Sequence, residues 1–555
     1  MFCFSFFAKI HLFAQKPIAT LPSGVNVPMV SVPSGANQVE IIHTDSAVII
    51  NDGSFEKYRL IGNVALRQNT STMFCNTAIL NRLTNSVEAF GNVKIIQADT
   101  VTITGDYATY AGNSRVAKIT GKVLLNDNTI KLNTDRLDYD LDTHVGYYNN
   151  NGKIEEGKST LTSKEGFYNT VTKIFMFYKN VKIVDDESKI ITDSLKYSTL
   201  SKEAFFISPT SIYSKTDTML VKKGVYNTVT KVSNFYGRST AITKDYLLTA
   251  DTLYYDTPTE TGILKGNAEI FSKKDSIVLN GNLGKYYGRM GQSSMADHAL
   301  MRMIQGKDTL FLSADTLQSF ENKELKTRRL TAYNHVIIFR KDIQGRCDSL
   351  TYNMADSTIS FFKKPILWAN GSQSEADSIN LQLINNKVRV MNLSTKSFVI
   401  TEDSTQNYNQ VKGRKITTYL SADSKIERVN VVGNGESIYF ATDDKKTLIG
   451  MNRVECSRMN ISFKNNEVKR IAFIGKPDAS LTPPHELTAE KKELDGFRWR
   501  AKEKPTREAT IENRITSYKK EEQKLIIKTD STSKKVNKIP ITKKDLKNVK
   551  SKRKI

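Results

Sequence analysis

Seven aspartates, Asp99, Asp135, Asp193, Asp251, Asp315, Asp348 and Asp377, return in one local phrase, as in Ala250-Asp251-Thr252-Leu253-Tyr254-Tyr255 and Thr192-Asp193-Ser194-Leu195-Lys196-Tyr197. Carboxylates in series can do acid–base chemistry or hold divalent cations. Acid–base catalysis, however, needs two groups in unlike environments, one keeping its proton and one without it. Here one residue type recurs in one context, as expected of a turn residue that bonds its own backbone and starts a strand. A calcium ladder would carry the Gly-Gly-x-Gly-x-Asp nonapeptide, which the sequence lacks. His43, His144, His298, His335 and His485 stand apart, none at metal-ligand spacing from another. No Gly-x-Ser-x-Gly, phosphate loop or dinucleotide fingerprint occurs. The expectation is a protein that is not an enzyme, with no catalytic residue, no metal and no cofactor. A lyase or hydrolase on a parallel β-helix is the rival, and it would need a non-repeating cluster of carboxylates and Arg on one face.

The elements that carry these aspartates repeat. Gly-Asn-Val-x-Ile phrases stand at Gly62-Asn63-Val64, Gly91-Asn92-Val93, Gly121-Lys122-Val123, Lys179-Asn180-Val181 and Gly266-Asn267-Ala268. Gly62 to Gly91 is 29 residues, Gly91 to Gly121 is 30, and Asp135 to Asp193 and Asp193 to Asp251 are each 58. The words Tyr168-Asn169-Thr170-Val171-Thr172-Lys173 return 58 residues later from Tyr226. Such a period belongs to a repeat architecture. Apolar and polar residues alternate, Val93 and Ile95 against Asn92 and Lys94, which is the period of half-buried strands. Each unit reads as two or three short strands, with Gly-Asn and Asn-Gly steps supplying the positive φ of tight turns.

Residues 41–480 are too many for one compact β core, whereas stacked units bury a core additively. The fold class is therefore all-β: an elongated, repetitive stack of antiparallel strands, an open β-jelly-roll or β-solenoid-like body, with a disordered basic C-terminal tail. The expected organisation is a signal-like leader at 1–14, a linker at 15–40, a β domain at 41–200, further repeats at 201–290 and a more divergent β segment at 291–482. A soft boundary is expected at 281–305, where the spacing relaxes. A capping segment follows at 483–500, with a short helix from Leu487 to Leu494 and with Phe497 and Trp499 folding back over the end of the body. The basic tail occupies 501–555.

The leader is apolar and aromatic and ends in a small residue before Gln15, which suits export, although Lys9 and His11 interrupt it. No other segment approaches the 18 or so apolar residues of a membrane helix. Cys75, Cys347 and Cys456 are too scattered for a disulfide framework or a zinc site and read as small apolar strand residues. Net charge is +23, and residues 501–555 hold 18 Lys plus Arg against 7 Asp plus Glu, about half of that excess. Such a tail suits an anionic membrane surface, at about 1 kcal/mol per basic residue near it. An exported chain has no nucleic-acid partner.

The two phrases in register resemble the OstA-like (organic-solvent-tolerance-like) domain family, to which LptA and the N-terminal domain of LptD belong. The match is clearest over residues 41–200, with weaker copies to about 480. The resemblance implies an open β-jelly-roll that carries lipopolysaccharide across the periplasm, possible association with the outer membrane, and end-to-end strand pairing with other OstA-like transport proteins. The chain departs from the family in its length and in the basic tail that stands where LptD has its barrel. An acyl chain of about a dozen methylenes left in water loses about 10 kcal/mol of burial, at about 0.8 kcal/mol per CH2, so an apolar channel is required. The candidates for its lining are Val64, Leu66, Val93, Ile95, Val123, Leu125, Val181 and Ile183. The alternative function is a structural or adhesive β-solenoid of the cell surface.

Overall fold

A computed structural model describes residues 37–511 apart from 52–55, 306–307, 323, 326, 444, 446 and 465–466. The leader and most of the expected linker and tail lie outside the described residues. The described part is all-β, with thirty-six strands whose pairings are antiparallel throughout. It divides into two compact units, one running to Asp186 with Asp193–Leu200, the other comprising Glu187–Thr192 and Ser201 onward.

In the first unit Ser71–Asn81, Ser86–Gln97, Val101–Ala111 and Val116–Asn126 follow one another through short turns. Together they draw on Thr, Val, Ile, Phe and Tyr, which suit a pleated, half-buried surface. One 29-residue period is thus a hairpin of two strands with its turns.

The Gly-Asn steps are not the turns. They sit at strand centres, as in Glu56–Gln68, where Gly62 has φ 80° and Asn63 φ 42°, and in Ser86–Gln97, where Gly91 has φ 73° and Asn92 φ 46°. Each pair inserts two left-handed residues, and the register shifts there, between Ile61 and Val64 and between Phe90 and Val93. Bulges of this kind bend a strand sharply. Each strand therefore turns a corner at its middle and contributes one half to each of two facing sheets. Gly suits the first position because a left-handed backbone costs it nothing.

Aspartates lie across from several of these corners, with Asp251 and Asp348 of the recurring set among them. Asn63 Nδ2 donates to Asp45 Oδ2 at 3.0 Å, and Asn267 Nδ2 to Asp251 Oδ2 at 2.7 Å. Lys363 pairs with Asp348 at 2.8 Å. Asp135 and Asp251 stand inside strands Lys131–Asp140 and Tyr246–Asp256, whereas Asp99 alone of these three is in a turn, with φ 55°. At Asp251 and Asp348 the expected strand-starting turn residue is thus a corner residue, reached by a side chain of the bulge on the neighbouring strand.

In the second unit the spacing relaxes for a reason other than a break. Ile277–Tyr287 and Gln292–Gln305 pair over most of their length, so 281–305 is regular sheet. Strands simply lengthen, from 11 residues in Ile277–Tyr287 to 17 in Ile426–Thr442 and Leu448–Lys464. Past the last strand, Asp478–Thr482, the expected helix is replaced by two 3-10 turns, Pro484–Glu486 and Glu490–Lys492. A continuous helix is not needed there, because Leu494 itself is pinned in a small core with Ile438, Phe440 and Met451.

The next residues lie flat on the sheet. Gln410 uses both atoms of its amide, donating to the Lys492 carbonyl at 2.8 Å and accepting from the Leu494 N–H at 2.8 Å. Gln373 does the same with the Arg498 carbonyl and the Arg500 N–H, each at 2.7 Å. Phe497 and Trp499 pack on Tyr408. Residues 501–511 also depart from the expected tail: a 3-10 turn at Ala501–Glu503 leads to a helical turn in which Thr510 is buried and Arg507 stacks on Phe311. Arg stacking on an aromatic face holds a polar segment that composition alone would leave loose.

Candidate lipid-binding interior

In the first unit the register aligns one apolar residue per strand. Leu66 lies opposite Met73, Met73 opposite Ile95, Ile95 opposite Ile103, and Ile103 opposite Leu125. The row continues through Leu132, Ile154 and Leu161 to Ile183. Opposed residues of a ladder share a face. Val64, Leu66, Val93, Ile95, Val123, Leu125, Val181 and Ile183 are all buried, at 2 % exposure or less. The structure brings these eight together on the inner face of one sheet.

The facing sheet carries a different row. Val87 lies opposite Tyr110, Tyr110 opposite Ala117, Ala117 opposite Tyr139, Tyr139 opposite Gly146, and Gly146 opposite Tyr168. Tyrosine alternates with a small residue, and at Gly146 the absent side chain leaves room for Leu137, Tyr139 and Leu125. After Tyr168 the small residue gives way to Phe175, which stacks on the Tyr168 ring at 3.9 Å and on Phe177 at 4.8 Å. These rings fill the space between the sheets. The apolar space bordered by Leu66, Met73, Val87, Ile95 and Tyr110 has a cavity volume of about 20 Å3, room for about one water.

At the rim, where the sheets meet away from the corners, the tyrosines reach polar groups about one and a half periods earlier. Tyr110 donates to Gln68, Tyr139 to Gln97 at 2.6 Å, Tyr168 to Asp127, and Tyr197 to Glu156 at 2.6 Å. Gln68 and Gln97 in turn donate to the carbonyls of Gly112 and Leu141 across the rim. Lys173 binds Asp127 at 2.6 Å. The second unit continues the series with Tyr255 on Asp217 at 3.2 Å.

Burial sets the charge states along this seam. It pushes the Tyr139 hydroxyl up to about 12, and it raises Tyr168 together with the bond to Asp127, so both keep their protons and act as donors. For Asp127, burial raises the pKa, but bonds from Lys173, Tyr168 and the Ile130 and Thr129 N–H groups outweigh it and hold the carboxyl below its usual range. Asp217 goes the other way: burial raises it and the nearby Glu260 adds to the rise. Burial also raises the thiols, Cys75 to about 11 and Cys347 to about 12, and among the described residues Cys75, Cys347 and Cys456 are free. A thiol kept protonated is a poor nucleophile. Among the described residues no group of His, Cys, Asp and Glu is placed to hold a metal ion.

Residues 36–193 and 183–251 match the family of OstA-like proteins, and residues 302–387 match the family described as LptA/(LptD N-terminal domain) LPS transport protein. Over residues 36–251, under half of its length, the chain is similar to the OstA-like family. No curated protein matches it. Among solved structures it is similar to LptH, the LptA-homologous periplasmic component of the lipopolysaccharide transport device of Pseudomonas aeruginosa. That similarity is 14 % identity over 18 % of this chain and 76 % of the other, with a TM-score of 0.17.

The matched residues form an all-β scaffold. Its inner apolar row was readable from the alternation beside each Gly-Asn step. The tyrosine row has its own signal in the sequence, since Tyr110, Tyr139, Tyr168, Tyr197, Tyr226 and Tyr255 stand 29 residues apart, but only the structure shows that the row faces inward.

Proposed function

We propose that this OstA-like chain is a non-enzymatic envelope scaffold that binds lipopolysaccharide and shields its acyl chains between its two sheets, at Val64, Leu66, Val93, Ile95, Val123, Leu125, Val181 and Ile183. The family matches over 36–251 and 302–387 carry the reading, and the unbroken apolar row from Leu66 to Ile183 supports it. The working place is the periplasm, beside the outer membrane. Strand Glu40–His43 pairs with residues 65–67 and strand Ser46–Asn51 with residues 56–61, and among the described residues neither has a second partner. Open edges recruit strands, so this end suits strand addition by another OstA-like domain. The basic residues beyond 511 suit an anionic membrane surface.

The stacked rings of Tyr168, Phe175 and Phe177 between the sheets favour a second reading, a structural envelope scaffold that carries no lipid. Gel filtration of the purified full chain with lipopolysaccharide separates the two. Co-elution that survives high salt and is displaced by a competing acyl detergent is expected of the carrier. Absence of co-elution at every ratio tried would leave only the structural scaffold.

A further inference from the structure

Burial requires a partner for each tyrosine hydroxyl, but it does not require the rim to be polar in the first place. Gln68, Gln97, Asp127 and Glu156 are all buried polar groups at a rim where apolar side chains would seal the sheets more firmly. A hydrogen bond between protein groups is exchanged for bonds to water at modest net cost, whereas separating packed apolar surface has no such compensation. A rim closed by hydroxyl, amide and carboxylate groups is therefore one that can part and close again. The inner row adds a second condition. Ala117 and Gly146 flank Tyr139, so its ring is not wedged between large neighbours along the sheet and can leave by a change of rotamer. The space bordered by Leu66, Met73, Val87, Ile95 and Tyr110 holds about one water, so an acyl chain that enters there must displace a side chain.

We propose that the rungs Tyr110–Gln68, Tyr139–Gln97, Tyr168–Asp127 and Tyr197–Glu156 form a lateral gate, which parts along the rim to admit acyl chains from the side and closes behind them. The proposal rests on the carrier reading above and goes beyond it by assigning the route of entry. Each rung belongs to its own 29-residue period, so the gate opens locally over the length of one lipid while the corners hold the two sheets together. The tyrosine rings that leave the interior make space for methylenes, and their hydroxyls and the rim amides pass to water during opening.

The test uses the full chain and cis-parinaric acid, a fluorescent fatty acid, with uptake followed by stopped-flow fluorescence. Combined Tyr110→Phe, Tyr139→Phe and Tyr168→Phe keeps the rings and removes three rungs. Uptake is expected to accelerate roughly tenfold or more, as the loss of three ordinary hydrogen bonds implies. A second variant, Gln97→Cys with Tyr139→Cys, bridged across the rim by a short bismaleimide, is expected to lose rapid uptake that the unbridged protein retains. If the wild type takes up the probe and neither variant changes the rate, the gate is refuted while the carrier stands. If the wild type binds no probe at any concentration, the carrier reading fails and the gate with it. Should the triple variant not fold, Tyr139→Phe alone and the bridged pair give the same decision.

Discussion

The first unit is held from within, and the later strands of the second are covered from without. Between the sheets of the first unit, Tyr110, Tyr139, Tyr168 and Tyr197 reach across to the opposite rim, and stacked rings occupy the middle. In the later strands of the second unit the period stretches as strands lengthen. There the residues after Thr482 lie along the face that bears Gln373, Gln410, Ile438 and Phe440, and two glutamines grip them by the backbone. Register places this face opposite Leu367, whose row runs through Gly345, Ile338, Leu312 and Met301 between the sheets. A regular repeat can secure itself with one residue type per period. Strands that have lost the period depend on a segment supplied from elsewhere in the chain.

The largest expected effect breaks the inner arrangement. Tyr139→Ala removes a fully buried ring and one rung, and should cost about 3–5 kcal/mol, read from urea unfolding. Hydrogen exchange should show lost protection in strands Val116–Asn126 and Lys131–Asp140 but unchanged protection in Leu448–Lys464. Equal loss in both would erase the distinction between an inner and an outer fastening.

A smaller effect breaks the outer one. Gln410→Leu leaves the Leu494 N–H and the Lys492 carbonyl without the amide that binds them, at a cost of about 2 kcal/mol. Limited proteolysis should then cut near residues 487–500 while the first unit stays intact, and a dye that binds exposed apolar surface should report Ile438, Phe440 and Met451. A segment as resistant as in the wild type would show that Leu494 and the aromatic contacts at Tyr408 suffice.

The smallest effect sharpens the comparison by sign. Lys173 and Glu260 occupy equivalent rim positions, each accepting a backbone bond from a residue 26 or 28 places later. Beside Lys173, Asp127 has a depressed pKa, so its contribution to stability is present above the ordinary carboxylate range and is lost as pH falls through its folded value. Near Glu260, Asp217 has a raised pKa, so its contribution is present below the ordinary range and is lost as pH rises through its folded value. Asp127→Asn should therefore destabilise at neutral pH and less so in acid. Asp217→Asn should be neutral or stabilising at neutral pH. Urea midpoints measured across pH check both signs, and the same sign for the two would contradict the assigned environments.

The sequence makes the period, the alternation and the inner apolar row legible, because each is a local pattern repeated many times. In the sequence the corners look like turns, because a left-handed Gly-Asn pair serves equally to reverse a chain or to bend it, and only the register decides. The rungs escaped because Gln68 and Gln97 carry no motif and lie 42 residues from Tyr110 and Tyr139, out of phase with the repeat. A fold-back of 483–500 is expected from Phe497 and Trp499, but its attachment through glutamines is not legible for a related reason. Gln373 and Gln410 are single residues whose partners are main-chain groups more than 80 positions away, and no composition reports that.

The most direct test of lipid carriage is photocrosslinking in cells making lipopolysaccharide, from a photoreactive residue placed in turn at Val93, Lys94 and Ile95. Val93 and Ile95 point between the sheets, and Lys94 between them in sequence is exposed. Lipopolysaccharide adducts at Val93 and Ile95 and none at Lys94 are the expected result. Adducts absent from both inner positions, or equal at all three, would contradict acyl chains passing between the sheets.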